Sequence, residues 1–107
     1  MTDIILPADK FNNPIQAMRI GVTQAIGLTG SSAATANAFS KNTIIVRLVA
    51  SEPCFVRIGT GTPTATSADM YLPAGIPEYV GVNGYETLKA AAIAVSASGT
   101  LYVTEMS

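Results

Sequence analysis

Apolar and polar residues alternate with a period of two along much of this chain, the pattern of strands that bury one face. From Gln16 to Leu28 the even positions Met18, Ile20, Val22, Ile26 and Leu28 are apolar, whereas Arg19, Gly21, Thr23, Ala25 and Gly27 are small or polar. This predicts one long strand or two short ones. Thr43 to Ala50 places Ile44, Val46 and Leu48 on one face and Thr43, Ile45, Arg47 and Val49 on the other. Both faces are largely apolar, which suits a strand in the middle of a sheet whose second side is also covered. Glu52-Pro53 then turns the chain into Cys54, Val56 and Ile58, alternating with Phe55 and Arg57, and the two strands are expected to form an antiparallel pair.

The stretches between these runs are rich in turn formers. Residues 29 to 42 are dominated by small side chains with one aromatic, which reads as a surface loop pinned by Phe39. Gly59 to Ser67 is a Gly/Thr/Pro loop, Met70-Tyr71-Leu72 a short strand, and Pro73 to Pro77 a turn. Strand Glu78 to Val82 is followed by Asn83-Gly84, a hairpin signal because both residues tolerate positive φ. Ser98-Gly99 gives a similar turn before the strand Thr100 to Glu105, in which Leu101 and Val103 face opposite to Tyr102 and Thr104. Glu86 to Ala97 also fits helical spacing and is rich in alanine. Its place between turn signals, without an amphipathic helical face, favours a strand. Seven or eight short strands punctuated by Gly, Pro and Asn predict an all-β fold, a β-sandwich or jelly roll.

The first residues differ from the rest. Residues 1 to 15 contain Pro7 and the Asn12-Asn13-Pro14 turn signal, which interrupt regular structure, yet they also carry Ile4, Ile5, Leu6 and Phe11. They read as an extended N-terminal arm that lies on its own domain or reaches a neighbour, ahead of a single domain over residues 16 to 107. A chain of 107 residues fits one domain and buries only about two thirds of its unfolded surface, so contacts between subunits would add usefully to its stability. The opening Met1-Thr2-Asp3-Ile4 lacks the basic and apolar regions of a secretory signal, and no apolar run is long enough to span a bilayer. A soluble protein made in a cytoplasm is expected.

Charge narrows the functional classes. Asp, Glu, Lys and Arg make up 12% of the chain, about half the roughly 25% usual for soluble domains. With a positive mean hydropathy, so sparse a charge leaves an exterior that invites association. The net charge of −1, with Lys10, Arg19, Lys41, Arg47, Arg57 and Lys89 dispersed, provides no basic stripe for nucleic acid. Cys54 is the single cysteine and is expected to be a buried thiol. The absence of histidine removes Ser-His-Asp and Cys-His mechanisms and the usual zinc ligand. The seven acids are scattered, and Gly59-Thr60-Gly61 lacks the lysine and helix of a phosphate loop. No enzymatic activity, metal or cofactor is expected. Tyr71, Tyr79, Tyr85 and Tyr102 could pack on sugar rings, which makes a carbohydrate-binding module an alternative; the absence of tryptophan counts against it.

At Val46-Arg47-Leu48-Val49-Ala50 and Cys54-Phe55-Val56-Arg57-Ile58-Gly59 the chain resembles small virion proteins of tailed bacteriophages. The likeness continues through Pro63-Thr64-Ala65-Thr66, Tyr71-Leu72-Pro73-Ala74-Gly75 and Gly99-Thr100-Leu101-Tyr102-Val103-Thr104-Glu105, covering roughly residues 38 to 106. These motifs are turns and strand cores that carry no chemistry. The resemblance implies a head decoration, or cement, protein on the capsid surface, a homodimer or homotrimer bound to a major capsid protein. Neck, tail and fibre-base components are similar. Candidate contact residues are Ile4, Ile5, Leu6 and Phe11 of the arm, with Ile45 and Val49 on the second face of their strand. Size measurement at micromolar concentration is expected to show an oligomer; monomer alone would rule out self-association there.

Overall fold

The computed structural model describes residues 19–83 and 86–107, so Gly84, Tyr85 and the whole N-terminal arm lie outside the described residues. The described chain forms eight strands: β1 (Ile20–Leu28), β2 (Ala33–Ala34), β3 (Ile45–Ala50), β4 (Cys54–Thr60), β5 (Met70–Leu72), β6 (Glu78–Gly81), β7 (Leu88–Ala94) and β8 (Gly99–Met106). They make two four-stranded sheets, ordered β1-β8-β3-β6 and β2-β7-β4-β5, and every strand pair is antiparallel. The pairing is nested, with β1 against β8, β2 against β7, β3 against β6 and β4 against β5. The first half of the chain thus runs back along the second, and the ladders β3·β8 and β4·β7 complete the sheets.

The period-two pattern decides what lies between the sheets. Ile26 and Leu28 of β1, Val46, Leu48 and Ala50 of β3, and Leu101 and Val103 of β8 point inward from the first sheet. Cys54 and Val56 of β4, Leu72 of β5, and Leu88, Ala90 and Ala92 of β7 meet them from the second. Phe39 joins the same core at 9% exposure and so pins its loop as expected. That loop also contains β2, two alanines paired with Ala91 and Ala92, and Thr35 and Phe39 donate their N–H groups to Ala90 and Leu88. Burial raises the Cys54 thiol to about 11, since the thiolate would lose its water.

Residues 88–94 are a strand, despite the helical preference of alanine. The reason is space: Ala90 and Ala92 face the core, while Ala91, on the opposite side, is also fully buried. Ala65, at 2% exposure, belongs to the loop between β4 and β5. Its N–H donates to Ser32 Oγ at 2.8 Å, and Asp69 fixes the loop's far end. The Asp69 carboxylate accepts from Thr66 N at 2.7 Å and from Arg57 Nη1 at 3.2 Å. The Thr66 amide, followed by Arg57, holds its carboxyl below the usual aspartate range. Only a small side chain fits a strand covered this closely on both sides, so tertiary packing overrides helix propensity.

Three expected hairpins are corrected. β3 and β4 lie in different sheets, and so do β6 and β7 around Asn83-Gly84, and β7 and β8 around Ser98-Gly99. The corner at 51–53 shows why. Ser51 N donates to Thr100 O in the first sheet, whereas Pro53 O accepts from Val95 N beyond the end of β7 in the second. The turn therefore carries the chain across the core. The corners at 51–53 and 95–99 lock together, because Ser51 Oγ also accepts from Thr100 N at 2.9 Å.

Gly99 makes this approach possible. A Cβ there would lie 2.7 Å from Ser51 Oγ and 2.8 and 2.9 Å from Glu52 Cγ and Cβ. At Gly27, on the neighbouring strand, nothing lies within 4 Å of the same added atom. Gly99→Ala is expected to destabilise the fold by about 1–3 kcal/mol through overpacking, whereas Gly27→Ala should be neutral within about 0.5 kcal/mol. Urea unfolding of both variants measures the contrast, and equal midpoints would refute it.

Candidate interaction face

The side of the β1-β8-β3-β6 sheet turned away from the core is built from the alternate residues of the same strands. Cross-strand register arranges them in rows. Ile20, Met106, Ile45 and Gly81 form one, and Thr23, Thr104, Arg47 and Tyr79 the next. Ala25, Tyr102 and Val49 form a third. Arg47 is the sole charged residue in these rows. Ile20 is 77% exposed, Tyr79 57% and Tyr102 45%, while Ile45, Val49 and Met106 are half-buried. Thr23 and Thr104 share a hydrogen bond between their hydroxyls at 3.0 Å, which uses polar groups that would otherwise require water. The face is broad, apolar and nearly neutral.

Of the residues singled out from sequence, Ile45 and Val49 lie on this face, on alternate positions of central strand β3. Ile4, Ile5, Leu6 and Phe11 lie outside the described residues. The tyrosines divide. Tyr79 and Tyr102 share the face, with β3 between their strands. Tyr71 sits on the second sheet, where its ring meets Phe55 edge-on with centroids 5.9 Å apart. Tyr85 is outside the described residues. At most two of the three described tyrosines could therefore contact one ligand on this face.

Strict alternation assigned Met18, Ile20 and Val22 to one face with Ile26 and Leu28; this is corrected for Ile20 and Val22, which are 77% and 61% exposed, while Met18 lies outside the described residues. The β1–β8 register shifts between Ile20 and Thr23, a bulge that sends Ile20 outward beside Met106. The signal was Gly21, a glycine inside a strand pattern. A Cβ at Gly21 would come within 3.2 Å of Glu105 O, so the bulged strand passes close to β8.

Glu105 supports this end of the sheet from beneath. It follows Leu101 and Val103 on the inward face and is only 5% exposed. Its Oε1 accepts from Thr43 Oγ1 at 2.6 Å and from Ser40 N at 2.7 Å, which ties the 40–43 turn to β8. Thr43 in turn precedes Ile44, whose N–H donates to Met106 O. The carboxylate thereby fixes the ends of β3 and β8, where Ile45 and Met106 emerge on the outer face. Beside it opens a cavity of about 230 Å³ lined by Gly21, Val22, Ser40, Asn42, Thr43 and Glu105 among others. Sequence reading passed over Glu105 because a single acid in an alternating strand carries no distinctive spacing.

No protein-family model, curated protein or solved structure was found to match the chain.

Loss of the Glu105 carboxylate should leave the part-buried Ser40 amide and the buried Thr43 hydroxyl without their acceptor. Glu105→Ala is expected to lower stability by about 2–4 kcal/mol, and Glu105→Gln, which keeps an acceptor oxygen, by clearly less. Urea titration distinguishes the two; identical losses would show that bulk rather than hydrogen bonding matters.

Proposed function

We propose that this chain is a structural protein of a bacteriophage particle, a capsid decoration or cement protein. It acts by packing and has no catalytic role. The observation that carries the reading is the outer face of the β1-β8-β3-β6 sheet. Three rows of side chains there include one charge. Such a face gains from being covered, at about 25 cal/mol for each Å² of apolar surface removed from water, less the motion lost on association. Small gains of this kind accumulate when many copies sit on a symmetric lattice.

We read the architecture as a jelly-roll β-sandwich. The order β1-β8-β3-β6 against β2-β7-β4-β5 supports it, because nested pairing of eight strands wrapped into two sheets is how a jelly roll is wound. Jelly rolls also occur in lectins, so the fold does not decide the function. The virion assignment draws on the resemblance of residues 38 to 106 to phage virion proteins, and the packing role on the face itself. In this reading a homodimer or homotrimer sits at the junctions of capsid subunits, with Ile45 and Val49 in the contact and the N-terminal arm, through Ile4, Ile5, Leu6 and Phe11, as a further attachment. A neck, tail or fibre-base position would use the same surface.

Val49→Asp and Tyr102→Asp place a carboxylate in the contact while leaving the inward rows intact. Both variants are expected to fold, judged by circular dichroism, yet to bind at least tenfold more weakly when sedimented with purified phage heads. Thr60→Asp, on the other sheet, should bind normally. Full attachment of the two face variants would reject this surface as the contact.

A further inference from the structure

The Glu105 carboxylate has no basic partner among the described residues. We propose that the cavity beside it is a socket for an arginine side chain projecting from the protein that covers the outer face, with the guanidinium against the free carboxylate oxygen. The inference rests on the reading of that face as a packing surface and names the side chain its partner must present.

The carboxylate is the first ground. Glu105 is 5% exposed, and its Oε1 takes both bonds, from Thr43 Oγ1 and Ser40 N. Oε2 accepts from no described residue. Because no buried side-chain oxygen among the described residues lacks a partner, Oε2 keeps an opening, and the space that Glu105 lines is this cavity. Arg57–Asp69 is the ion pair among the described residues, so neither Lys41, next to the cavity in sequence, nor Arg19 pairs with Glu105. A carboxylate so withdrawn from water gains from a cation that reaches it.

The second ground is the lining. The cavity measures about 230 Å³, several times the ~30 Å³ share of a water molecule in the liquid, and so admits an organic cation. It exists because β1 bulges at Gly21, whose missing side chain leaves the space beside Glu105 unfilled. Val22 supplies an apolar wall for methylene groups, while Ser40 and Asn42 add polar atoms for the remaining N–H groups. A single carboxylate is a poor metal centre, and no cluster of three potential ligands occurs among the described residues. Arginine fits better than lysine, because its planar head is weakly hydrated and spreads five donors over such a set of acceptors.

Position is the third. Gly21 follows Ile20, Glu105 precedes Met106, and Thr43 lies two residues before Ile45, so the cavity flanks the outer-face row of Ile20, Met106 and Ile45. A protein laid on that face reaches the socket at its edge.

N-acetyl-arginine methylamide, added to the isotopically labelled chain, tests the socket. The amide signals of Gly21, Thr43 and Glu105 are expected to shift saturably at about millimolar probe, and the citrulline analogue, a neutral urea, should bind at least about tenfold more weakly. Glu105→Gln should weaken the arginine probe by a similar factor. Asn42→Arg leaves the bonds of Glu105 in place and offers its own guanidinium to Oε2, so it is expected to fold and to exclude the probe. Absence of a saturable shift, equal binding of the two probes, unchanged binding by Asn42→Arg, or displacement by an equal concentration of calcium chloride would overturn the proposal. Sedimentation with phage heads separates it from the underlying reading. Asn42→Arg is expected to attach at least about tenfold more weakly than the native chain. Heads that reject Val49→Asp but retain Asn42→Arg leave the packing face standing and remove its arginine; heads indifferent to both remove the packing role itself, and the partner with it.

Discussion

The buried layer between the sheets can form only from strands that alternate faithfully, and the rest of the molecule follows from that alternation. Val46, Leu48, Leu101 and Val103 are wholly inaccessible, and each forces its neighbours in the strand to the opposite side. On the second sheet Ala91, on that side, is itself buried. On the first sheet the same geometric necessity brings Ile45, Val49 and Tyr102 to the surface. The proposed packing face is therefore a by-product of the core that has not been covered internally.

The local pattern was legible wherever a strand obeyed its period. The inward and outward sets of β3 and β8 were readable from Val46, Leu48, Leu101 and Val103, as were β5 and the strand nature of β7. Partners were not readable. A turn sequence such as Ser98-Gly99 states that the chain reverses, not whether the next strand lies alongside or across the core, because that choice is made by distant groups such as Ser51 and Pro53. The two alanines of β2 carry no strand signal, and their conformation comes from the ladder with β7. For the candidate face, Ile45 and Val49 were legible from two-sided hydrophobicity. Ile20 was misplaced by one bulge, since a single extra residue exchanges the faces of everything before it.

Sheet edges offer a different route to association, and here they are mostly closed. β2, β5 and β6 are edge strands of two, three and four residues, too short to template another chain. β1 is nine residues long, but its start is bulged, and at its middle Gln24 engages the backbone of Asn37 through both ends of its amide, at 2.9 and 3.0 Å. Short or interrupted edges discourage open-ended strand addition. A broad neutral face beside them directs contacts to side chains, a mode suited to closed assemblies of fixed size.

The position of β8 has a consequence for how the molecule is made. Formed by residues 99–106, it lies second in the first sheet, between β1 and β3, so β1 lacks its partner and β3 one of its two until those later residues are available. Loop closure on this scale is slow compared with pairing of adjacent strands. During synthesis the chain must hold Ile26, Leu28, Val46 and Leu48 without their shared neighbour, which favours folding in one step once residues 99–106 have been made. A message cut short before codon 99 would yield a product lacking the centre of its first sheet, a natural substrate for proteolysis.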